Sequence, residues 1–498
     1  MSSGHDVSEG GGRLGVRECG SAGVCACVSL GLSESGGARG LGVSRHSHTA
    51  THPHTSVFRM AAAVAVWSLA WALPAAATTL DDCIRTALKE NPDAQSAGQR
   101  VLSAQAARRQ AQSAFLPRVN LAGSYTRTDN AGQALFMQLN RRQLNFQGDL
   151  NNPDDTHDWR GSVTAQYRLF DGGRRRLDAA MAGEGIAVAR AALEGVQNQL
   201  VHEITRSFYG VLQARAFASV QEESVKSIEE SLRIAKERFQ AGSTVKTDVL
   251  NLEVQLAQAR EDLIRANHSA ELALAALNAG IGRDMVAPTN VAETVRGELV
   301  SPPANDDLSV LDTKRPEMRA ARIMADIQRD KWRRARRDLM PVVNAFGSYD
   351  QDKGDSDWKD SYFAGVSAEL NIFDGRQTRS VVAQALADYR AAEGARQKAR
   401  NDLKLDLIQA QLGVRDAWER LQVTQRSLEN AREALRITQE VYKQGAAEIS
   451  TLMTAQVGLT ATRTRDVAAH YDYLTASSNL ARARGELVEK YAAYAAQQ

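Results

Sequence analysis

The residue types that usually carry catalysis or bind metals are scattered along this sequence. Beyond residue 77 the histidines are isolated, and their spacing matches no zinc-ligand pattern. These histidines are His157, His202, His268 and His470. The sequence also lacks a nucleophile elbow, a phosphate-binding glycine loop and paired acids at catalytic spacing. We therefore predict no catalytic residue, no cofactor, no metal site and no enzymatic activity.

Clustered arginines are the second group of residues that could bind a ligand. Two runs flank predicted strand ends, Arg174–Arg176 and the four arginines between Arg333 and Arg337, where they could contact lipid phosphates. We expect these runs to be mainly solvated, with lipid contact as an added effect. Arg141 and Arg142 lie in a long loop and could meet surface lipopolysaccharide. The net charge of +2 gives no sign of a nucleic-acid partner.

The N-terminal part of the chain, up to Ala77, differs in composition from the rest. Residues 1–59 are rich in Gly and lack helical or strand periodicity, so we predict a disordered extension or a mis-assigned start. Residues 60–77 form an apolar stretch with an Ala-x-Ala pattern, which is typical of a secretory signal peptide. The exported chain would begin near Thr78. Its one cysteine, Cys83, follows two acids rather than a lipobox, so we expect a buried thiol and no lipid anchor.

The chain from residue 80 onward is a tandem repeat. The segment Pro117–Tyr125 returns as Pro341–Tyr349. The motif Phe170-Asp171-Gly172 returns as Phe373-Asp374-Gly375, at a smaller offset along the chain. Because the offset shrinks between these two motifs, the loop that joins them is longer in the first copy. A duplicated sequence unit usually means a duplicated architecture.

Each copy reads as a helix, a strand, a loop, a strand and two long helices joined by a turn. In the first copy we predict an opening helix from Leu80 to about Ala114, broken at Asn91-Pro92 because proline lacks the helical N–H donor. Period-two alternation then predicts strands around residues 119–126 and 162–169.

The predicted strands are apolar on one face and polar on the other. In the second strand, Val163 and Tyr167 alternate with Thr164 and Arg168. This pattern fits either the wall of a water-filled membrane barrel or a half-buried sheet on a soluble core. Aromatic residues cluster at the strand ends, as in the interfacial girdles of membrane barrels. Since the smallest such barrels have about eight strands, four strands could form one only in an oligomer.

Two helical hairpins of unusual length are predicted after the strands. From Arg174 to Ala241 apolar residues recur at steps of three and four, and one continuous helix of this length would span about 100 Å. Small residues in the seams allow close coiled-coil packing. The seams break at Gly242 and Gly445, where a left-handed residue can cap the helix and reverse the chain.

The order of these motifs resembles one family of membrane proteins. The motifs are an Asn-Pro helix break, Phe-Leu-Pro before a strand, a strand ending Leu-Phe-Asp-Gly-Gly and a tip reading Ala-Gly-Ser-Thr-Val-Lys-Thr-Asp-Val-Leu, each with a counterpart in the second copy. Together they resemble the TolC-type outer membrane efflux proteins over about Leu80 to Glu489. The resemblance implies a mostly α fold with a transmembrane β-barrel. Three protomers would give four strands each to a twelve-strand barrel and continue as a twelve-helix periplasmic tunnel.

The same resemblance implies a function. The protein would be the outer membrane channel of a tripartite efflux or type I secretion system, a passive duct for drugs, metals or proteins. Its partners would be two further copies of itself, a periplasmic adaptor protein, an inner-membrane pump of the RND or ABC type, and outer membrane lipids. A non-conducting coiled-coil scaffold of the envelope is the alternative, but a scaffold gives no reason for four strands near membrane-crossing length.

The hairpin tips are the predicted functional site. By resemblance, the tunnel closes there through a charge lock and a ring of acids. Asp248 matches the first member of the lock, but its expected arginine partner aligns with Ala447 and the ring acids align with two threonines. We therefore expect weaker polar contacts, either a substitute lysine–glutamate pair or a solvated tip. The predicted aperture residues are Lys246, Asp248, Glu448, Thr451 and Thr454.

The turns at the tips match the adaptor-contacting turns of the family. Small residues there would let a partner helix approach closely, although glycine at a helix reversal needs no partner to explain it. The predicted adaptor-contacting residues are Gly242, Ser243, Thr244, Gly445 and Ala446.

The predicted domain organisation follows from these features. The N-terminal extension covers residues 1–59 and the signal peptide 60–77. The first repeat covers 78–287, a linker or equatorial segment 288–307, the second repeat 308–490, and a C-terminal tail 491–498.

Overall fold

The computed structural model describes residues 78–292 and 310–487, apart from Asn145, Gln147 and Gly148. The predicted extension (1–59), signal peptide (60–77), most of the linker and the tail (491–498) lie outside these residues. Among the described helices, none combines the length and hydropathy that crossing a membrane requires.

The described chain contains two copies of one unit, in the predicted order. The first copy consists of α1 (Leu80–Glu90), α2 (Pro92–Ser113), β1 (Arg118–Thr128), α3 (Ala131–Asn140), β2 (Thr156–Phe170), α4 (Arg174–Gln240) and α5 (Lys246–Gly280). The second consists of α6 (Val310–Lys314), α7 (Pro316–Arg336), a 3₁₀ turn (Arg337–Leu339), β3 (Val342–Lys353), β4 (Lys359–Glu369), α8 (Gln377–Lys443) and α9 (Ile449–Arg484). α4 and α8 each have 67 residues, which gives a length of about 100 Å.

The repeated Phe-Asp-Gly motif starts the long helices. Asp171 follows β2, and its carboxylate accepts hydrogen bonds from the backbone N–H groups of Gly173 (3.0 Å) and Arg175 (3.1 Å). Asp374 accepts one from Thr378 (2.8 Å). Such acids satisfy donors that the helix leaves unpaired and interact favourably with its dipole. Burial raises the pKa of Asp171, but the bonds from Arg175 and Gly173 outweigh it, and the net pKa is lowered; Thr378 lowers the pKa of Asp374.

Equivalent apolar residues form an equivalent core in each copy. In the first copy, Leu200 and Ile204 of α4 pack against α1 and against Leu277 of α5. Cys83 lies fully buried in this core, and burial raises its pKa to about 11, which confirms the predicted buried thiol. The equivalents in the second core are Leu403, Leu407 and Leu480.

The residue between the two opening helices contacts the end of the last long helix in both copies: between α1 and α2 it contacts α5, and between α6 and α7 it contacts α9. The side-chain amide of Asn91 donates a hydrogen bond to the carbonyl of Gly280 (2.9 Å). Arg315, the equivalent of Asn91, donates one to the carbonyl of Ala483 (2.8 Å), the equivalent of Gly280. The duplicated sequence is therefore a duplicated contact as well as a duplicated order of elements.

Two equivalent glycines allow this close approach. Gly282 (φ 80°) and Gly485 (φ 78°) follow α5 and α9 in the left-handed conformation. A Cβ on Gly282 would lie 3.0 Å from the carbonyl oxygen of Glu90, and one on Gly485 would lie 2.9 Å from that of Lys314. Glycine alone tolerates both the dihedral angle and the contact with backbone.

In the second copy, charged side chains make the contact between the opening helices and α9. Arg315 is 3% exposed, and its Nη1 donates to a carboxylate oxygen of Asp406 at 3.0 Å. Nη2 of Arg482 donates to the other oxygen of Asp406 at 2.7 Å. Burial raises the pKa of Asp406, but the two guanidinium groups outweigh burial and hold the pKa below its usual value.

The four strands form one antiparallel sheet in the order β1-β2-β3-β4. Val163 lies opposite Leu121 on one side and Tyr349 on the other, so these residues share the apolar face. Thr164 lies opposite Ser348 on the polar face. The predicted alternation is confirmed. Among the described strands, β1 and β4 each pair with only one neighbour.

The longer connection of the first copy was predicted as a loop and instead contains α3. The connection also lengthens β2, which begins at Thr156. Arg141 and Arg142 were the residues that could meet lipopolysaccharide. Arg141 is 5% exposed, and its Nη1 donates to the carbonyl of His157 at 2.9 Å. For Arg141 this interpretation is wrong, because its side chain enters a buried acidic cluster near Asp158. Arg142 is exposed, and its contact with lipopolysaccharide stays a prediction.

The arginine runs at the base of the sheet are partly paired with acids rather than solvated. Nη1 of Arg174 lies 2.8 Å from Asp338, and Nε of Arg334 lies 2.8 Å from Asp178. For these residues the expectation of mainly solvated side chains was wrong. The two ion pairs join α4 of the first copy to α7 and the 3₁₀ turn of the second, which fixes the two copies to each other beside the strands.

Replacing Asp406 by Asn should destabilise the protein, because Arg482 would lose its counter-charge and Arg315 would keep only Glu317. We expect a loss of about 2 kcal/mol in the free energy of unfolding at pH 7, measured by denaturant unfolding followed by circular dichroism. Because the folded-state pKa of Asp406 is lowered, its contribution is present above the unfolded pKa of about 4 and is lost as the pH falls through the folded value.

The difference between Asp406→Asn and the parent chain should therefore shrink in acid. Glu203 occupies the equivalent position in the first copy and is exposed, so Glu203→Gln is the matched control. An equal loss of stability in the two variants would contradict the role assigned to Asp406.

Candidate functional site at the hairpin tips

The chain reverses at two turns, at the ends of α4 and α8 that lie away from the strands. Gly242 (φ 72°) and Gly445 (φ 80°) adopt the predicted left-handed conformation. The N–H of Ser243 donates to the carbonyl of Arg238 (2.8 Å), and the N–H of Ala446 donates to that of Val441 (3.0 Å). Both turns are therefore Schellman motifs, which satisfy the last carbonyl groups of each helix.

Apolar residues pack the two hairpins together near the turns. Leu452 of α9 and Tyr442 of α8 are 1% and 2% exposed. Ile234 of α4 packs on the same cluster, and Ile449 contacts the clusters of both hairpins. The two tips of one protomer are therefore in direct contact.

Arg238, near the end of α4, joins the two tips through polar contacts. Its Nη1 donates to the carbonyl of Tyr442 on α8 at 2.7 Å, and its Nη2 to the carbonyl of Ser243 at 3.4 Å. The guanidinium carbon lies 4.9 Å from the centroid of the Tyr442 ring, within cation–π distance. A Cβ on Gly445 would lie 3.2 Å from Nη2. We call this set of contacts the Arg238 latch.

Tyr442 contributes an apolar ring to the latch rather than a hydrogen bond. Its hydroxyl oxygen is buried and has no hydrogen-bond partner among the described residues. Burial raises the pKa of Tyr442, Arg238 lowers it, and Asp248 raises it, with the net shift upward. The side chain is thus neutral at physiological pH.

Asp248, the predicted first member of a charge lock, is half-buried in the first turn of α5. It accepts a hydrogen bond from the hydroxyl of Thr244. Ala447, which aligns with the expected arginine, packs against the apolar cluster of the second hairpin. Asp248 therefore stabilises its own turn, and the ion pairs found in the described ranges do not include it.

The other predicted aperture residues are exposed, and two of them adjoin at the start of α9, where the N–H of Thr451 donates to the carbonyl of Glu448 (3.2 Å). Glu448 accepts a hydrogen bond from the hydroxyl of Ser450 (3.2 Å), and the hydroxyl of Thr454 donates to the carbonyl of Ser450 (2.8 Å). The described ion pairs include none between Lys246 and Glu448. The role of these residues and of Thr451 in the aperture stays a prediction.

The predicted adaptor-contacting residues lie on the surface of the two turns. Gly242, Ser243, Gly445 and Ala446 are exposed, and Thr244 is half-buried. Their small side chains leave the turn backbone accessible to another helix. Contact with an adaptor stays a prediction.

Sequence spacing did not reveal the Arg238 latch. Arg238 lies in a charged stretch of α4, and its partner Tyr442 lies 204 positions further along the chain. The available signal was a difference between the repeats, since Val441 stands at the position equivalent to Arg238. A charged residue replaced by an apolar one near an otherwise equivalent turn marks a contact that only one copy makes.

The comparisons with known proteins agree with this architecture. The family described as Outer membrane efflux protein matches residues 83–283 and 308–486. The chain is 24% identical over 433 residues to the alkaline protease secretion protein AprF of Pseudomonas aeruginosa, which covers 82% of this chain and 84% of that protein. It is 23% identical over 404 residues to the outer membrane protein TolC of Vibrio cholerae, which covers 76% and 84%, respectively.

The fold is also similar to a solved structure, that of the CmeC outer membrane channel of Campylobacter jejuni. The TM-score is 0.73 at 16% sequence identity, over 84% of this chain and 89% of that chain. The family match includes both copies of the strand and hairpin unit and nearly all described residues. The chain therefore belongs to the outer membrane efflux protein family.

Proposed function

We propose that this protein is a passive export duct, in which three copies form a barrel in the outer membrane and a helical tunnel through the periplasm. The observation that carries the proposal is the four-stranded sheet, which is apolar on one face, polar on the other, and unpaired at both edges among the described strands. Members of this family are channels, and this chain would conduct without catalysing a reaction.

The strands suit a membrane barrel wall. They have 11 to 15 residues, and a tilted strand needs about 9–11 to cross a bilayer. Tyr125 and Trp159 are about half exposed on the apolar face, with ring centroids 4.6 Å apart, as expected for an interfacial girdle. In lipid, every strand edge must be paired. Pairing β4 of one protomer with β1 of the next satisfies both edges.

The helical hairpins carry apolar residues that a neighbour would cover. Val254 and Leu272 of α5 are 69% and 72% exposed, and Leu412 of α8 is 57% exposed. Within one protomer, α4 contacts α9 through Gln456 Nε2 and Ser231 Oγ at 2.7 Å. By the repeat, α8 of one protomer would pack against α5 of the next and cover apolar residues of both helices, although this hydrogen bond cannot recur there because Ala434 stands at the position of Ser231.

The duct would work with two further components. Its exposed turns, Gly242–Thr244 and Gly445–Ala446, would bind a periplasmic adaptor, and an inner-membrane pump of the RND or ABC type would supply the energy. The relative AprF is by its name an alkaline protease secretion protein, so a secreted protein is one candidate cargo, beside drugs and metal ions. The pump selects the cargo.

The aperture at the tips would be sealed differently inside and between protomers. Inside a protomer the Arg238 latch ties one tip to the other. At the boundary between protomers, the position of Arg238 is taken by Val441 and that of Ser231 by Ala434, so these two positions offer neither a guanidinium nor a hydroxyl. Opening of the tunnel therefore has to break the latch inside each protomer, whereas the boundary between protomers has no equivalent contact at these two positions.

Trimer formation and conduction test the main proposal. Expressed in a bacterium with an outer membrane, the protein should sediment with that membrane, run as a heat-resistant trimer on a gel, and conduct ions in planar bilayers. A soluble periplasmic monomer would contradict the proposal, and a membrane-bound trimer that shows no opening event in single-channel recordings, even with Arg238→Ala, would favour the envelope scaffold instead.

Replacing Arg238 by Ala should loosen the tips. The lost charge-assisted hydrogen bond is worth about 1.5 kcal/mol, so the open probability of single channels should rise about tenfold. Arg233→Ala is the matched control, because Arg233 lies on the same helix and pairs only with the exposed Glu230 and Glu237 among described residues. An equal open probability in Arg238→Ala and the parent trimer would show that the latch does not hold the tunnel closed.

Replacing Asp248 by Ala tests the remaining member of the predicted lock. Without the carboxylate of Asp248, Thr244 loses its partner and the first turn of α5 loosens, so we expect the open probability of single channels to rise, but less than in Arg238→Ala. Asp262→Ala, further along α5, serves as the control. If conductance were unchanged in Asp248→Ala, Asp248 would have no gating role.

A further inference from the structure

The inserted helix α3 lies across one face of the sheet. It contacts both β2 and β4, which flank β3 on either side. The side chains beneath it, those of Asp158, Arg160 and Asp352, share the polar face with Thr164, because they lie an even number of residues away or directly opposite. The insertion that distinguishes the first copy thus covers the polar face at the end of the sheet near the strand connections and leaves the apolar face free.

A buried charge cluster holds α3 in this position. Asp158 and Asp352 are 4% and 1% exposed. Nε of Arg160 donates to Asp352 at 2.6 Å, and Arg141, at the end of α3, interacts electrostatically with Asp158. One oxygen of each acid has no hydrogen-bond partner among the described residues. Two buried acids therefore depend on two arginines, of which one comes from the inserted segment.

Further contacts extend from α3 to the far strand. The Nη2 group of Arg142 donates to the carbonyl of Asp360 at 3.1 Å, and the amide of Gln143 donates to the hydroxyl of Ser356. A Cβ on Gly354 would collide with the guanidinium of Arg141. Glycine at this position gives Arg141 its path to the acids.

The two sides of α3 differ in chemistry. Ala134 is fully buried, and Arg141, two turns later, lies on the same side against the sheet. Phe136 and Leu139 point away from the sheet and are 67% and 45% exposed. Large apolar side chains on the free side of a helix that covers a polar surface are unexpected unless that side has its own function.

We propose that α3 is a lid over the outer mouth of the duct, held by Arg141 and closed on the axis by Phe136 and Leu139 of three protomers. The proposal rests on the proposed function, because the polar face lines the lumen only when three sheets form one barrel. The β1–β2 and β3–β4 connections lie at the sheet end away from the long helices, which is the cell exterior. Three helices, each about 10 Å in diameter with side chains, would meet there as a ring of apolar residues, and such constrictions close channels by excluding water.

Cysteine accessibility on intact cells tests the lid independently of the tips. Gln166, on the polar face beyond the lid, is exposed. In the full-length chain carrying Gln166→Cys, a bulky polyethylene glycol maleimide added outside the cells should react slowly. Adding Arg141→Ala, or Gly354→Ala, should make labelling about tenfold faster, because the local contacts that hold α3 closed are lost.

Three controls separate lid opening from loss of the fold. Asn152→Cys, in the exposed connection before β2, should label equally fast in every background. The chain without a new cysteine is the blank, because Cys83 is fully buried and any labelling of Cys19, Cys25 and Cys27 in the N-terminal extension is measured there. The double variant Phe136→Ser and Leu139→Ser keeps Arg141 and should also speed labelling of Gln166→Cys, since it wets the ring without releasing α3.

The outcomes distinguish the lid from the duct. If heat-resistant trimers form and Gln166→Cys labels at the same rate with and without Arg141→Ala, the lid is wrong and the duct stands. If no trimer forms in any background, both proposals fail. Oxidation of Phe136→Cys should in addition link two protomers of each trimer, and a failure to link them would place α3 away from the axis.

Discussion

The structure depends on one constraint: the four-stranded sheet has two unpaired edges, one apolar face and one polar face. β1 and β4 each expose a row of backbone N–H and C=O groups next to an apolar face. In lipid such groups have no water to bind, so an open sheet of four strands is not a stable structure there. In the proposed trimer, closure by identical copies would remove every edge at once. The long helices that follow β2 and β4 would then leave the barrel at equal intervals and continue as a tunnel.

The duplicated unit explains most of the architecture, and the departures from duplication mark the specific features. The contact between the break in the opening helices and the end of α5 or α9 is present in both copies, although the amide of Asn91 is replaced by the guanidinium of Arg315, which pairs with Asp406. The tips differ more between the two copies, because Val441 stands in the second copy at the position equivalent to Arg238. The largest divergence is α3, which only the first copy has. Positions that match across the repeat hold the fold, and those that differ surround the two ends of the duct.

Much of the fold could be predicted because its signals are local or periodic. Asn91-Pro92 breaks the opening helix as predicted, since proline lacks the required donor. Gly242 and Gly445 end the long helices, since glycine alone enters the left-handed region without cost. The strand faces follow from period-two alternation. The family resemblance stated from these motifs is confirmed by the family match.

The features that could not be predicted depend on long side chains that cross between elements. Arg141 and Arg238 look like solvated charges in the sequence, but each reaches a partner fixed by tertiary structure, Arg141 near Asp158 and Arg238 at Tyr442. No spacing rule encodes such contacts. α3 was missed for a different reason, because a ten-residue helix flanked by loop residues is too short for a clear periodic signal. These contacts set the chemistry of the tips and of the outer connection.

The most direct test of the account is the strand register between protomers, which the repeat fixes in advance. Within one protomer Thr164 of β2 lies opposite Ser348 of β3. The residue of β4 equivalent to Thr164 is Ser367, and the residue of β1 equivalent to Ser348 is Ser124. The repeat therefore predicts that Ser367 lies opposite Ser124 of the next protomer. Facing Cβ atoms in such a pair are about 5 Å apart, against about 7 Å for positions two residues out of register. Oxidation of the double variant Ser124→Cys and Ser367→Cys should therefore give covalent trimers on a non-reducing gel, whereas Ser124→Cys with Glu369→Cys should not. An absence of covalent trimers in the first variant, or equal linking in the second, would contradict a barrel closed by β4 pairing with β1.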